Sequence, residues 1–206
     1  MSDVVCPWCY IGKAKLDRAL EAAPGHPFAI AYRPFLLNPD MPAKGMDRAE
    51  YLAAKFGRER VRALEVRIEA AAAEAGLELD FGRVRRIPNT LDAQRLIRWS
   101  RVTGNQAAVV GRLFRRYFRE GDDISDHGVL VSVAESAGME GELVARLLAG
   151  EADRTDILAE GGLARRMGVT GVPTFIIGGR YVLQGAQETE TWARLMGEIA
   201  AQAAPG

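Results

Sequence analysis

The sequence predicts an α/β protein whose small sheet is interrupted by a large all-helical insertion. Three observations predict it. The β-prone runs, "FAIAYRPFLL" (28–37) and "VPTFIIGGRYVLQG" (172–185), lie near the two ends of the chain. From about residue 47 to 167 the chain reads as successive helices with no convincing strand. Both cysteines, Cys6 and Cys9, stand in a Cys-x-x-Cys pair at the head of a helix-like segment that leads into the first β run. The order is a βαβ start, a helical block and a ββα finish. A block that leaves a sheet at one end and re-enters it at the other is an insertion. It divides the chain into 1–45 with 168–206, and an inserted helical subdomain at 46–167.

Residues 11–22 read as an amphipathic helix, with Ile11, Leu16, Ala19 and Leu20 recurring on one face and Pro24-Gly25 as its stop. Residues 28–37 alternate and are β-prone, so a strand is expected there, ending near Pro34. Asp47 with Glu50 resembles a capping box and begins a helix carrying Tyr51, Leu52 and Phe56. The helix at 58–75 has Val61, Leu64 and Ile68 on one face. Asn89 caps a helix with Leu91, Leu96, Ile97 and Trp99, and the next presents Val110, Leu113, Phe114, Tyr117 and Phe118. Asp126 begins a helix that stops near Gly138. "EGELVARLLAG" (140–150) is another, and 151–167 a third, ended by Gly168. Gly178-Gly179 between two β runs signals a hairpin. The last helix, 188–203, carries Trp192, Leu195, Met196 and Ile199.

With 206 residues, 48% of them hydrophobic, the chain can build one packed domain with an insert. Its 27 basic and 27 acidic residues cancel, which argues against an electrostatic footprint for nucleic acid. No apolar run approaches the roughly 18 residues of a membrane span. A cysteine motif occupies the positions where a signal peptide's charged and apolar regions would lie. A cytoplasmic location is therefore expected, where thiols are kept reduced and two cysteines do not make a disulfide scaffold.

The Cys-Pro-Trp-Cys stretch can be a redox pair, half of a metal site, or two ordinary core cysteines. A helix starting at Pro7 suits proline, whose missing N–H would be unbonded there anyway. It also puts Cys6 at the helix N-terminus, where backbone N–H groups and the dipole favour a thiolate. Cys9 lies on the same face, within reach of a disulfide. With no charge at Pro7 or Trp8, the expectation is an exposed Cys6 thiol of intermediate acidity and a shielded Cys9. The potential should fall inside the range of about −120 to −270 mV of such pairs. A metal would need two further ligands, and His26 and His127 lack suitable spacing, so none is expected. Pro173 enters a strand where a proline costs no ladder bond. It is either an ordinary trans proline or a cis Val172-Pro173 bond. The cis form would hold the Val172 backbone beside the Cys6 sulfur, where an extended substrate could pair with it.

"SDVVCPWCYIGK", "PNTLDAQRL", "GVTGVPTFII" and "RYVLQGAQ" together resemble the thioredoxin-fold DsbA family, in its cytosolic FrnE-like branch. The resemblance runs over nearly the whole chain, insertion included. It implies a thioredoxin fold and a dithiol–disulfide oxidoreductase with Cys6 as nucleophile, Cys9 as resolving cysteine and Pro173 as the cis-proline. Trp8, Val172 and Pro173 are then the candidate substrate-binding residues. The expected partner is a disulfide-containing peptide or protein, or a small-molecule thiol. No cofactor is expected beyond glutathione as a redox partner, and a reducing cytosol favours reduction or isomerisation. The chain lacks the second, C-terminal cysteine pair of some members. The family's central first strand should precede the motif, yet only Met1 to Val5 remain, with Asp3–Val5 covering about half a normal strand. The expectation is that the natural chain begins a few residues earlier, with a β-prone stretch.

Two other functions stand beside this one. Glutathione-dependent isomerases of the 2-hydroxychromene-2-carboxylate type and kappa-class glutathione transferases share the fold but generally carry serine where Cys6 stands. Asn89, Thr90 and Arg95 would line their small-molecule cleft, against a plainer reading of Asn89 as a helix cap and Arg95 as solvated surface. A holdase would use an apolar groove around Trp8, which is either exposed between the cysteines or packed on the insertion.

Overall fold

A computed structural model of the chain describes residues 1–203. Helix α1 (Pro7–Glu21) begins at Pro7 with Cys6 as its N-cap in extended geometry. After a long extended segment, β1 (Met46–Asp47) pairs antiparallel with β2 (Arg86–Ile87). The helices of the block are α2 (Arg48–Phe56), α3 (Arg58–Glu74), α4 (Leu91–Trp99), α5 (Gln106–Arg115) with a π-helical extension over Arg116–Glu120, α6 (His127–Ser136), α7 (Gly141–Ala149) and α8 (Arg154–Arg166). The hairpin β3 (Thr174–Ile177) and β4 (Tyr181–Gln184) and helix α9 (Thr189–Ala203) complete the fold. This is a thioredoxin-like α/β fold with a helical insertion.

Local chemistry sets most boundaries. Asp47 and Asp126 cap α2 and α6 by accepting from the Glu50 and Val129 backbone N–H groups, both at 3.0 Å. Gly178 and Gly179 take successive positive φ values of 56° and 70°, which a hairpin turn of this hand requires. The N-cap of α4 is Thr90 rather than the expected Asn89; Asn89, one residue earlier, accepts from the Leu91 N–H at 2.9 Å, while its amide donates to the Met41 carbonyl.

Three expectations need correction. The run at 28–37 is extended but forms no strand: its one ladder contact is a parallel bridge between Ser2 and Pro34. A strand needs a partner, and only Ser2 supplies one. The Met1 amine donates to the Thr174 carbonyl at 2.7 Å, Thr174 N–H to the Met1 carbonyl, and Ser2 N–H to the Arg33 carbonyl at 3.0 Å. The first two residues thus sit between the 33–35 segment and β3. At Tyr32 the Gln106 side chain takes over: its amide oxygen accepts from the Tyr32 N–H and its nitrogen donates to the Tyr32 carbonyl. Asp3–Val5 is a turn rather than strand, closed by Cys6 N–H to the Asp3 carbonyl at 3.1 Å. The block expected to be strandless contains the short β1–β2 ribbon.

The largest core packs the start of the chain against α4, α5 and α6, around Leu96, Leu113, Phe114 and Leu130. Tyr10 stacks on Phe114 with centroids 5.0 Å apart, which ties α1 to α5. On the other face α1 packs on α9 through Leu16, Ala19, Trp192 and Met196. Arg95, read as solvated surface, is fully buried. It donates to the carbonyls of Leu147, Leu148, Gly150 and Ala152, closing the open C-terminal end of α7, and to Asp92 at 2.8 Å. No helix among the described residues is long and apolar enough to cross a membrane.

Candidate active site

The turn at Asp3–Cys6 and the start of α1 present the two cysteines together. Cys9 N–H and Tyr10 N–H both donate to the Cys6 carbonyl, so the motif forms the first helical turn. Both cysteines are free, and they lie 3.5 Å apart. The Cys6 thiol donates to the Val172 carbonyl at 3.4 Å, and the Val172–Pro173 bond is cis. Gly12 lets α1 approach this point: a Cβ there would meet Pro173 Cγ at 3.3 Å and the Ala186 backbone at 3.4 Å. The geometry thus brings Cys6 and Cys9 against Val172 and Pro173, and Trp8 borders the same cleft as Cys6 and Val172.

Exposure and acidity differ from expectation. Cys6 is 5% exposed and Cys9 3%, so neither is an open surface thiol. The Cys6 thiol is pushed well up from its ordinary value, first by the hydrogen bond with the Cys9 side chain and then by burial. The Cys9 backbone N–H at the helix N-terminus pulls the other way, as the dipole argument requires, but is outweighed. Below the motif Asp3 is wholly buried. One of its oxygens accepts from the Leu37 N–H at 2.7 Å, and Oδ1 has no partner among the described residues. Burial pushes its carboxyl up to about 6.

The two cysteines face different spaces. Cys9 borders a cavity of about 250 Å³ between residues 27–32 and β3. Cys6 lies in the wall of a larger cleft, about 430 Å³, between the start of α1 and helices α2 and α3. The Val61, Leu64 and Ile68 face of α3 forms one wall of it, and Trp8 another. Trp8 is half-buried and packs towards α3, with the Arg67 guanidinium 5.7 Å from its ring centre. Asn38, Tyr51 and Lys55 sit at the cleft's edge. The sequence places Tyr51 on a helix with Leu52 and Phe56 but carries no signal that it meets Asn38 and Lys55, because the three come together only through the fold. Asn89, Thr90 and Arg95 do not line the cleft. No group of three His, Cys, Asp or Glu side chains able to hold a metal occurs among the described residues. His127 instead pairs with Asp92 at 3.0 Å, and His26 Nδ1 accepts from the Phe28 N–H.

The model of the DSBA-like thioredoxin domain matches residues 1–197. The chain belongs to that family. This is a family of thiol–disulfide oxidoreductases. A crystal structure of a probable DsbA oxidoreductase from Streptomyces coelicolor is 31% identical, with a TM-score of 0.87 over 100% of this chain and 90% of that one. An uncharacterized protein of Bacillus subtilis, YwbO, is 26% identical over 200 residues, covering 96% of this chain and 94% of its own. The cytosolic disulfide reductase DsbM of Pseudomonas aeruginosa shares the fold at 21% identity, with a TM-score of 0.68 over 98% of this chain and 97% of its own.

Proposed function

We propose that this DsbA-family protein reduces or isomerises disulfides through the Cys6–Cys9 pair, with Cys6 as nucleophile and Cys9 as resolving thiol. The observation that carries the reading is the pair itself: two free cysteines 3.5 Å apart at a helix N-terminus, the first in the wall of the large cleft. Attack by the Cys6 thiolate on R–S–S–R′ forms the mixed disulfide Cys6–S–S–R and expels R′S⁻. The Cys9 thiolate then attacks Cys6 Sγ, closes the Cys6–Cys9 disulfide and expels RS⁻. Two electrons pass from the pair to the substrate, and the two thiol protons end on the released thiols. Two equivalents of a low-molecular-weight thiol restore the dithiol. Glutathione is the candidate, and a structure of the Pseudomonas reductase holds it.

Val172 and Pro173 would border the incoming sulfur, and Trp8 would form part of the wall it passes. Because the Cys9 side chain and burial keep Cys6 protonated at neutral pH, the attack should speed up as pH rises. Equilibrating the protein with glutathione buffers of graded ratio and trapping its thiols tests the proposal. The expected outcome is one two-electron couple, within the range of about −120 to −270 mV, that Cys6→Ser or Cys9→Ser abolishes. Thiols that titrate independently would refute it.

A further inference from the structure

We infer that the cleft beside Cys6 selects a small, largely apolar disulfide that carries a carboxylate, with Lys55 holding the carboxylate at its edge. This rests on the dithiol reading above and names the substrate class for the same site. The size fits: about 430 Å³ lies in the range of pockets that enclose one small molecule. The walls are apolar. Trp8 and Val172 flank the sulfur, and Leu52 and Leu64 face them from α2 and α3.

The charge at the edge gives the ligand its polar end. Arg48 also borders the cleft but is committed to Glu65 at 2.7 Å. Lys55 is different: its ammonium donates to the Tyr51 hydroxyl at 2.6 Å and to Asn38 Oδ1 at 3.3 Å, and no carboxylate lies within 4.0 Å of it among the described residues. Tyr51 and Asn38 orient the ammonium without neutralising it. A cation held by neutral groups beside apolar walls complements a ligand with an apolar body and an anionic end. The exchange is the one written above, R being the apolar carboxylate arm, with two equivalents of low-molecular-weight thiol returning the protein to the dithiol.

The test compares two aromatic disulfides, anionic dithiobis(nitrobenzoate) and neutral dithiodipyridine, in single-turnover oxidation of the reduced protein below saturation. Lys55→Met should lower the anionic-to-neutral rate ratio about tenfold, the scale of one charge-assisted hydrogen bond. An unchanged ratio overturns the inference. Leu64→Gln should slow both probes. An effect on neither overturns the apolar wall. A second arm uses the Cys6→Ser, Cys9→Ser protein and follows naphthoate binding by tryptophan fluorescence. Binding weakened about tenfold by Lys55→Met supports the ligand class, and equal binding overturns it. The parent reading fails separately. If Cys6→Ser still reduces dithiobis(nitrobenzoate) at the parent rate, the dithiol role is lost, and naphthoate alone decides the ligand class.

Discussion

The Cys6 thiol meets the carbonyl oxygen of Val172, 166 residues away in sequence, at 3.4 Å. That contact joins the helix N-terminus of α1 to the entrance of β3 and places the proposed nucleophile at the seam between sheet and insertion. It requires the approach of α1 that Gly12 permits. Any side chain at that position must displace Pro173 or the Ala186 backbone, so Gly12→Val should separate the two and lower stability by about 1–3 kcal/mol. Urea unfolding measures the loss, and an unchanged midpoint contradicts it.

The pKa of Cys6 is set first by Cys9, whose side chain raises it and so makes the thiol less acidic. Removing that side chain should therefore lower the Cys6 value. In Cys9→Ala, the pH profile for alkylation of Cys6 should move to lower pH than in the parent protein with Cys9 intact. Mass mapping of labelled peptides over a pH series measures this. A shift to higher pH would contradict the assigned cause.

Asp3 holds its proton to about 6 in the folded chain, against 3.8 for an ordinary aspartate. Between those values the folded state binds more protons than the unfolded one. Stability should therefore fall as pH rises through that window, by about 3 kcal/mol in all. Asp3→Asn removes the titration while keeping an acceptor for the Leu37 N–H. Urea unfolding at pH 4 and pH 7 should show the parent losing stability relative to the variant. Parallel behaviour of the two would contradict the buried carboxyl's role.

Arg95 should contribute more to stability than a surface pair does, being fully buried and bonded to four carbonyls. Arg95→Met strips the donors from four carbonyls and leaves Asp92 with less compensation, so a loss of about 3–5 kcal/mol is expected. Arg98 is an internal control: its ion pairs with Asp153, Asp156 and Glu160 are partly exposed, and Arg98→Met should cost no more than about 1 kcal/mol. Equal losses would contradict the account.

What the sequence disclosed is what local chemistry writes into it. Cys6, Pro7 and Cys9 define a helix start by themselves, Asp47 and Asp126 announce their caps, and Gly178-Gly179 can serve little but a turn. The 3.6-residue period marked Val61, Leu64 and Ile68 as one apolar face, yet periodicity does not say what covers a face, and this one lines a cleft. The burial of Arg95 carried no signal: Asp92 is a neighbour on the same helix, but the four carbonyls that hold the guanidinium lie more than fifty positions away. The run at 28–37 has strand composition, but pairing belongs to the partner as much as to the run. Here a glutamine side chain on α5 does what a neighbouring strand would have done at Tyr32. The helix dipole that favours a Cys6 thiolate is local and visible in the sequence, whereas the Cys9 thiol and the burial that outweigh it arise from the packed fold.

In the proposed reaction Cys6 attacks and Cys9 resolves. The most direct measurement is mapping of the mixed disulfide formed when each single cysteine variant meets dithiobis(nitrobenzoate). Cys9→Ser should accumulate a stable adduct on Cys6, Cys6→Ser should form little, and the parent protein should pass to the intramolecular disulfide with loss of two hydrogens. Faster adduct formation on Cys9 in the Cys6→Ser variant than on Cys6 in the Cys9→Ser variant would contradict the assignment.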